Sequence, residues 1–191
     1  MKKIKFSVLS GVILLAFGAG LLLYIVRSQA VSATSVIQSV EPAPKEFIES
    51  SANKTQGIPD ELIIPSLNMD LPVVPGYYNA RAGTWTLTLS EVQYATITPE
   101  PNNISGDTFL YGHYRQAVFA RLHTIPANAQ AIVKTSNDRS FYYQLSSIRT
   151  TNPNDDSVFT YQGPPILTIQ TCTGILFQYR QLYTFTFLKV I

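Results

Sequence analysis

The longest uninterrupted apolar run lies near the N-terminus. Residues 6–26 read FSVLSGVILLAFGAGLLLYIV and include no charged side chain. A helix needs about 20 apolar residues to cross a bilayer, so this run predicts a transmembrane helix. Lys2, Lys3 and Lys5 precede it and only Arg27 follows closely. This bias predicts a single-pass protein of the cell membrane, with its N-terminus in the cytoplasm and the rest of the chain outside. A cleavable signal peptide is the alternative, but its apolar core is usually only about 7–15 residues long.

Residues 28–57 change to a polar pattern that is rich in Ser, Ala, Glu and Pro and has no sustained apolar period. This composition predicts a linker, which we expect to hold the following domain away from the membrane. The predicted organisation is therefore a cytoplasmic tip and membrane anchor in residues 1–27, a stalk in residues 28–57 and one folded domain in residues 58–191.

Beyond residue 58, short β-branched and aromatic runs alternate with turn clusters of Pro, Asn, Asp and Gly. This pattern is typical of strands. The predicted strands are residues 61–64, 71–74, 108–111, 130–135, 140–148, 166–171 and 182–190. They predict a mainly β fold that closes into a barrel, with the last two runs, which are the most apolar, at its centre. The main helical candidate, residues 117–123, is too short to be stable alone and must pack on the barrel.

Composition narrows the possible chemistry. The 191 residues are 46% hydrophobic, enough for one sizeable core. Lys and Arg total 14 against 12 Asp and Glu, and this net charge of +2 lacks the basic excess of a nucleic-acid-binding protein. A single cysteine excludes internal disulfides and multi-cysteine metal sites. Cys172 is therefore either a buried apolar filler or a reactive thiol.

Three segments contain side chains suited to thiol chemistry. The run FLYGHY ends an apolar strand at Gly112 and His113, the run LTIQTCTG ends another at Cys172, and Arg180 opens the last strand. A thiol is a weak nucleophile at its ordinary pKa, so a cysteine enzyme needs a neighbouring imidazole or cation. His113 and Arg180 can supply both, and a guanidinium near the thiol can also stabilise an oxyanion.

In this order the three segments resemble the signature of the sortase family, which combines a Gly-His strand end, a Thr-Leu-x-Thr-Cys strand and a downstream arginine. The runs IPSLNMDLPV at residues 64–73 and VFARL at residues 118–122 are also similar to that family. The resemblance extends over residues 58–191. It implies an eight-stranded β-barrel with short helices and a cysteine transpeptidase without an organic cofactor.

The resemblance also implies the roles of single residues. Cys172 attacks a Thr-Gly-type bond in an LPxTG-like sorting signal and forms a thioester acyl-enzyme. His113 is the acid and base, and Arg180 steadies the oxyanion or the substrate backbone. The expected substrate-binding residues adjoin them: Thr171, Gly112 and Thr173. The expected partners are secreted proteins with a C-terminal sorting signal and an acceptor amine of peptidoglycan or a pilin.

Other residues compete for these roles. His123 lacks a strand-end setting, and we expect it in packing or at the surface. Three arginines are alternatives to Arg180 but lie farther from Cys172 in the sequence: Arg115, Arg139 and Arg149. Some sortases bind calcium through acidic residues in loops beside the site. Calcium needs six to eight oxygens at short range, so we expect no metal site from carboxylates as scattered as these: Glu100, Asp107, Asp155 and Asp156.

Two other functions remain open. An L,D-transpeptidase also couples cysteine with histidine on a β-rich fold, but its pattern is His-Gly and Ser-x-Gly-Cys. A tethered β-domain that binds wall polymer or a partner protein would keep Cys172 buried and resistant to alkylation. Only seven residues separate Cys172 from Arg180, which leaves the sortase subclass open. The lack of a second apolar segment after the last strand favours surface-protein anchoring over pilus polymerisation.

Overall fold

The computed structural model describes residues 53–191. The predicted membrane helix and nearly all of the predicted stalk lie outside these residues and stay predictions. Within the described part, no helix is long and apolar enough to cross a membrane. Gln56, just before the predicted domain boundary, forms an isolated bridge with Asn102.

The described residues form ten strands, eight of which close into a barrel in the order β1-β2-β5-β6-β9-β10-β8-β7. The strands are β1 Pro59–Ile64, β2 Met69–Gly76, β3 Tyr78–Asn79, β4 Thr84–Trp85, β5 Val92–Ala95, β6 Asp107–Tyr111, β7 Gln130–Thr135, β8 Ser140–Thr151, β9 Ile166–Thr173 and β10 Tyr179–Val190. Strands β3 and β4 pair only with each other. The prediction of a mainly β, eight-stranded barrel with short helices is confirmed.

Three details of the sequence-based prediction are wrong. Strands β3, β4 and β5 were not predicted: β3 and β4 have only two residues each, and β5 includes the buried polar residue Gln93. The helix predicted at residues 117–123 is a 3₁₀ helix at Ala120–Thr124, and the other short helices are Pro65–Leu67 and Ser157–Phe159. Strands β9 and β10 are neighbours but not central, because every strand of a closed barrel has a partner on both sides.

The barrel wall has an apolar inner face and one covered apolar patch on its outer face. Alternate residues of a strand point to opposite faces. Leu110 of β6 and Ile169 of β9 join the main core cluster. The residues that alternate with these two along the strands point outward. On that outer face a second apolar cluster forms from β5, β6, β10 and the loop that joins β8 to β9: Ala95, Phe109, Tyr111, Val158 and Leu182. Phe109 and Tyr111 of this outer patch also line the cavity of the candidate site.

Asp107, the first residue of β6, is a buried acid in the barrel wall with only 2% of its surface exposed. The Thr168 hydroxyl donates a hydrogen bond to its Oδ2 at 2.7 Å, whereas Oδ1 has no partner among residues 53–191. Burial raises the pKa of Asp107 from 3.8 to about 7. Its protonated form therefore belongs to the folded state at mildly acidic pH.

This burial predicts a pH dependence of stability. Above about pH 4 the unfolded chain has lost the Asp107 proton while the folded chain keeps it, so the free energy of unfolding falls as pH rises to about 7 and then levels off. Asp107→Asn removes that titration. We expect the fall in the free energy of unfolding between about pH 4 and pH 7 to be smaller in this variant than in the parent, by up to about 4 kcal/mol. Urea unfolding at several pH values measures it. Asp138→Asn, at an exposed turn, is the control and should keep the slope; equal slopes in both variants would contradict the account.

Candidate active site

Strand pairing brings Cys172 and Arg180 side by side, next to the strand end that His113 follows. Cys172 is near the end of β9, where the antiparallel pairing with β10 sets it opposite Arg180. In the parallel pairing of β6 with β9, Tyr111 stands beside Gln170. β6 ends at Tyr111, and His113 follows two residues later and lines the same cavity as Cys172 and Arg180. Because paired residues point to the same face of a sheet, Cys172 and Arg180 share the outer face of the barrel, at the end where His113 follows β6.

A cavity of about 630 Å³ lies over this part of the outer face, and its lining includes His113, Cys172 and Arg180. One wall is aromatic. This wall is formed by the rings of Tyr78, Trp85, Phe109, Tyr111 and Phe159. Neighbouring rings pack with their centroids 5.3–6.1 Å apart. The sequence analysis did not identify this wall, although Trp85 is the single tryptophan of the chain. The arrangement offers apolar surface directly beside a thiol, an imidazole and a guanidinium.

The other wall is the loop that joins β8 to β9, and Asp155 organises it. The Asp155 carboxylate accepts hydrogen bonds from Arg149 Nη1 and Thr151 Oγ1, both at 2.6 Å, and from the Ser157 N–H at 3.0 Å. Hydrogen bonds from Ser157 and Thr151 hold the pKa of Asp155 well below its ordinary value. Arg149 is thereby engaged in this loop, which leaves Arg180 as the guanidinium opposite Cys172.

Cys172 is partly exposed and lines two cavities, so it is not a filler of the core. Within residues 53–191 its Sγ makes no hydrogen bond to His113 or Arg180. Arg180 Nη1 donates instead to the carbonyls of Phe177 and Tyr179, at 3.3 and 3.2 Å, distances that are long for such bonds. Catalytic hydrogen bonds are often long or poorly aligned before substrate binds, so this geometry is compatible with a resting site.

Thr171 and Gly112 hold the ends of β6 and β9 together. Thr171 is 1% exposed, and its hydroxyl donates to the Gly112 carbonyl at 3.0 Å. A Cβ on Gly112 would come within 2.8 Å of Val118 and 3.0 Å of Phe119. Glycine therefore lets the loop after His113 pack closely against the barrel. These contacts position the backbone at the site, and the predicted contact of Thr171 and Gly112 with substrate stays a prediction.

A second cavity of about 330 Å³ lies on the other side of Cys172, at the mouth of the barrel. Inward-facing side chains such as Leu122 and Tyr183 form its base, and Thr173 and His123 also line it. The sequence analysis expected His123 in packing or at the surface. It is exposed, and its imidazole lines this second cavity together with the thiol.

The remaining candidates lie apart from this centre. Arg115 is exposed in the loop after His113, and Arg139 lines a separate cavity beside β1 and β7. The four carboxylates considered for calcium are spread over the β5–β6 loop, the buried start of β6 and the β8–β9 loop. No three His, Cys, Asp or Glu side chains of the described residues converge to hold a metal ion. The expectation that the chain needs no cofactor stays a prediction.

Comparisons with known proteins agree with the observed fold. A family model described as Sortase domain matches residues 62–184. Sortase E1 from Streptomyces coelicolor, solved with a tripeptide in its active site, is 23% identical with a TM-score of 0.55 and covers 71% of this chain and 90% of its own. Sortase C1 from Streptococcus agalactiae is 20% identical with a TM-score of 0.53 and coverages of 68% and 67%. Sortase C-1 from Actinomyces oris is 23% identical with a TM-score of 0.55 and coverages of 68% and 73%. A search of curated proteins gave no match.

Proposed function

The chain belongs to the sortase family, and we propose that it is a cysteine transpeptidase that cleaves a sorting signal in secreted proteins and transfers the acyl group to an amine. The observation that carries the proposal is that His113, Cys172 and Arg180 line one cavity. The β9–β10 pairing sets Arg180 opposite Cys172, and His113 follows β6, the parallel neighbour of β9. The structurally similar proteins include both a sortase C1 and a sortase E1, so the proposal does not assign the chain to a sortase subclass.

In the first half of the reaction, the Cys172 thiolate attacks the carbonyl carbon of the scissile bond. A C–S bond forms and the carbonyl oxygen gains the charge, which the Arg180 guanidinium stabilises by donating hydrogen bonds. As the C–N bond breaks, His113 in its protonated form gives a proton to the leaving amine. The product is a thioester between Cys172 and the N-terminal fragment of the substrate.

In the second half, an amine of peptidoglycan or a pilin attacks the thioester carbonyl. The C–S bond breaks, Cys172 leaves as a thiolate, and His113 takes a proton from the nitrogen that has formed the new amide bond. His113 is then protonated and Cys172 is again a thiolate, so both residues are ready for another cycle.

The larger cavity is suited to an extended peptide with apolar side chains ahead of the scissile bond. Trp85 contacts both Tyr111 and Phe159, with ring centroids 5.3 and 5.7 Å apart. Burial of an apolar side chain against such rings contributes about 25 cal/mol per Å² of surface removed from water. An LPxTG-like signal has such a side chain, and the predicted membrane anchor would hold the domain where secreted proteins emerge.

A peptide library tests this proposal. The purified full-length protein is incubated with peptides of LPxTG-like sequence and with small primary amines, and the products are identified by mass spectrometry. We expect cleavage after threonine in a subset of peptides and, with amine present, a product in which the amine has replaced the C-terminal fragment. A protein that cleaves no peptide under any of these conditions would contradict the proposal.

Thr171 provides a test of how the site is positioned. Thr171→Val keeps the side-chain shape but removes the hydrogen bond to Gly112, whose carbonyl then lacks that partner. We expect a loss of about 1–2 kcal/mol in the free energy of unfolding and roughly tenfold lower kcat, because His113 directly follows Gly112. Thr171→Ser retains the hydroxyl and is the control. An unchanged kcat in the valine variant would exclude this positioning role.

A further inference from the structure

Cys172 is part of the wall between two cavities. The larger cavity, on the outer face, includes His113, Arg180 and the aromatic wall. The smaller cavity, at the barrel mouth, includes His123 and no side chain of the larger cavity other than Thr171 and Cys172. The acyl-transfer reaction proposed above needs two substrates at one thiol. The two cavities provide two separate routes by which these substrates can reach Cys172. The cavity at the barrel mouth has no role in the reaction as described so far.

His123 presents an unused hydrogen-bond acceptor at the mouth. It belongs to the 3₁₀ helix Ala120–Thr124, and its Nδ1 is hydrogen-bonded to the Ala120 carbonyl. A carbonyl oxygen can only accept, so Nδ1 bears the hydrogen and, in the neutral ring, Nε2 has the free lone pair. Nε2 has no protein partner within the described residues. The backbone of its own helix thus selects the neutral tautomer in which Nε2 is the acceptor nitrogen.

The lining of the mouth suits a primary amine. It includes no lysine or arginine that would repel an ammonium group, whereas the larger cavity has the Arg180 guanidinium opposite the thiol. Two aromatic rings, Tyr114 and Phe177, stand at the rim with centroids 5.9 Å apart, and the Tyr114 ring is 6.3 Å from that of His123. Aromatic faces attract cations.

We propose that the mouth cavity admits the amine acceptor and that His123 Nε2 binds this amine and takes its first proton. The inference rests on the proposed function, because it needs a thioester at Cys172. The acceptor enters as an ammonium ion and loses one proton to Nε2. Its nitrogen lone pair then forms the C–N bond with the thioester carbon, and the C–S bond breaks with its electron pair on sulfur. The second proton passes to His113, and His123, which is exposed, returns the first to water.

His123→Asn separates this role from a structural one. The asparagine amide can still donate to the Ala120 carbonyl from nearly the position of Nδ1, but it has no group in place of Nε2. The assay uses the full-length protein, a peptide that it cleaves, and glycinamide as the acceptor. We expect hydrolysis without amine to stay within twofold of the parent, the KM for glycinamide to rise about tenfold, and the ratio of transfer to hydrolysis to fall about tenfold. Gln116→Asn, an exposed change outside both cavities, is the control and should alter none of these.

The outcomes distinguish this inference from the function on which it depends. If His123→Asn lowers hydrolysis and transfer equally, or changes neither, His123 does not serve the acceptor and the inference is overturned. Failure of the proposed function has another signature, because the parent protein itself would then form no thioester with any peptide.

Discussion

Cys172→Ala is expected to abolish both peptide cleavage and acyl transfer while the barrel stays folded. Cys172 is the only cysteine of the chain, so no other thiol can form the acyl-enzyme. Loss of the nucleophile should lower kcat by at least about 10⁴-fold. The side chain is only partly buried, and its truncation should cost about 1 kcal/mol or less in the free energy of unfolding. Peptide cleavage and thermal unfolding, measured on the same preparation, check both parts.

Two outcomes would count against this assignment. An alanine variant that still cleaves the peptide would show that another residue is the nucleophile. An inactive variant that has also lost its cooperative unfolding would point to a packing role for the thiol. Cys172→Ser serves as the matched variant, because it keeps a polar group of similar size and should be equally inactive but fully folded.

Arg180→Lys should reduce kcat by about 10²–10³-fold, the effect expected when an oxyanion loses its donor. Lysine keeps the positive charge but lacks the planar fork that can direct two N–H groups at one oxygen. The fold should be little affected, because in the resting structure Arg180 donates only to two carbonyls of its own turn at 3.2 and 3.3 Å. Steady-state kinetics and thermal unfolding make the comparison.

Arg149→Lys is the matched control for this substitution. Arg149 contacts Asp155 and Ser157 in the loop beside the larger cavity, so we expect its loss to raise the KM for the peptide and to leave kcat nearly unchanged. If Arg180→Lys instead lowers thermal stability in proportion to rate, Arg180 has a structural role and the oxyanion contact is excluded.

The barrel could be predicted from the sequence because most of its strands alternate or are long enough to show a period. The run at residues 166–171 and the last strand are apolar and β-branched, and the structure has strands at both places. Strand β5 has a polar residue, Gln93, in its middle that is only 1% exposed, so its sequence does not indicate a fully buried strand. The 3₁₀ helix at Ala120–Thr124 differs from the predicted helix in position and type, because packing of Ala120 and Leu122 against the barrel decides its geometry.

The candidate site was predictable where its residues adjoin strand ends. Gly112 and His113 follow the apolar strand β6, and Cys172 lies near the end of β9. The sequence alone did not indicate that β6 and β9 are parallel neighbours. The aromatic wall was not predictable, because Trp85 of β4 and Phe159 of the 3₁₀ helix Ser157–Phe159 are far apart in the sequence and meet only in the folded chain. The same holds for His123, since nothing in the run ARLHT indicates a cavity shared with Cys172.

Intact-mass measurement of the acyl-enzyme tests the central claim most directly. The full-length protein is mixed with a peptide that it cleaves and is quenched in acid within seconds. We predict that its mass increases by that of the N-terminal acyl fragment, that the adduct maps to Cys172, and that hydroxylamine releases it. Cleavage of the peptide with no adduct on Cys172, or an adduct that persists in Cys172→Ala, would contradict the account.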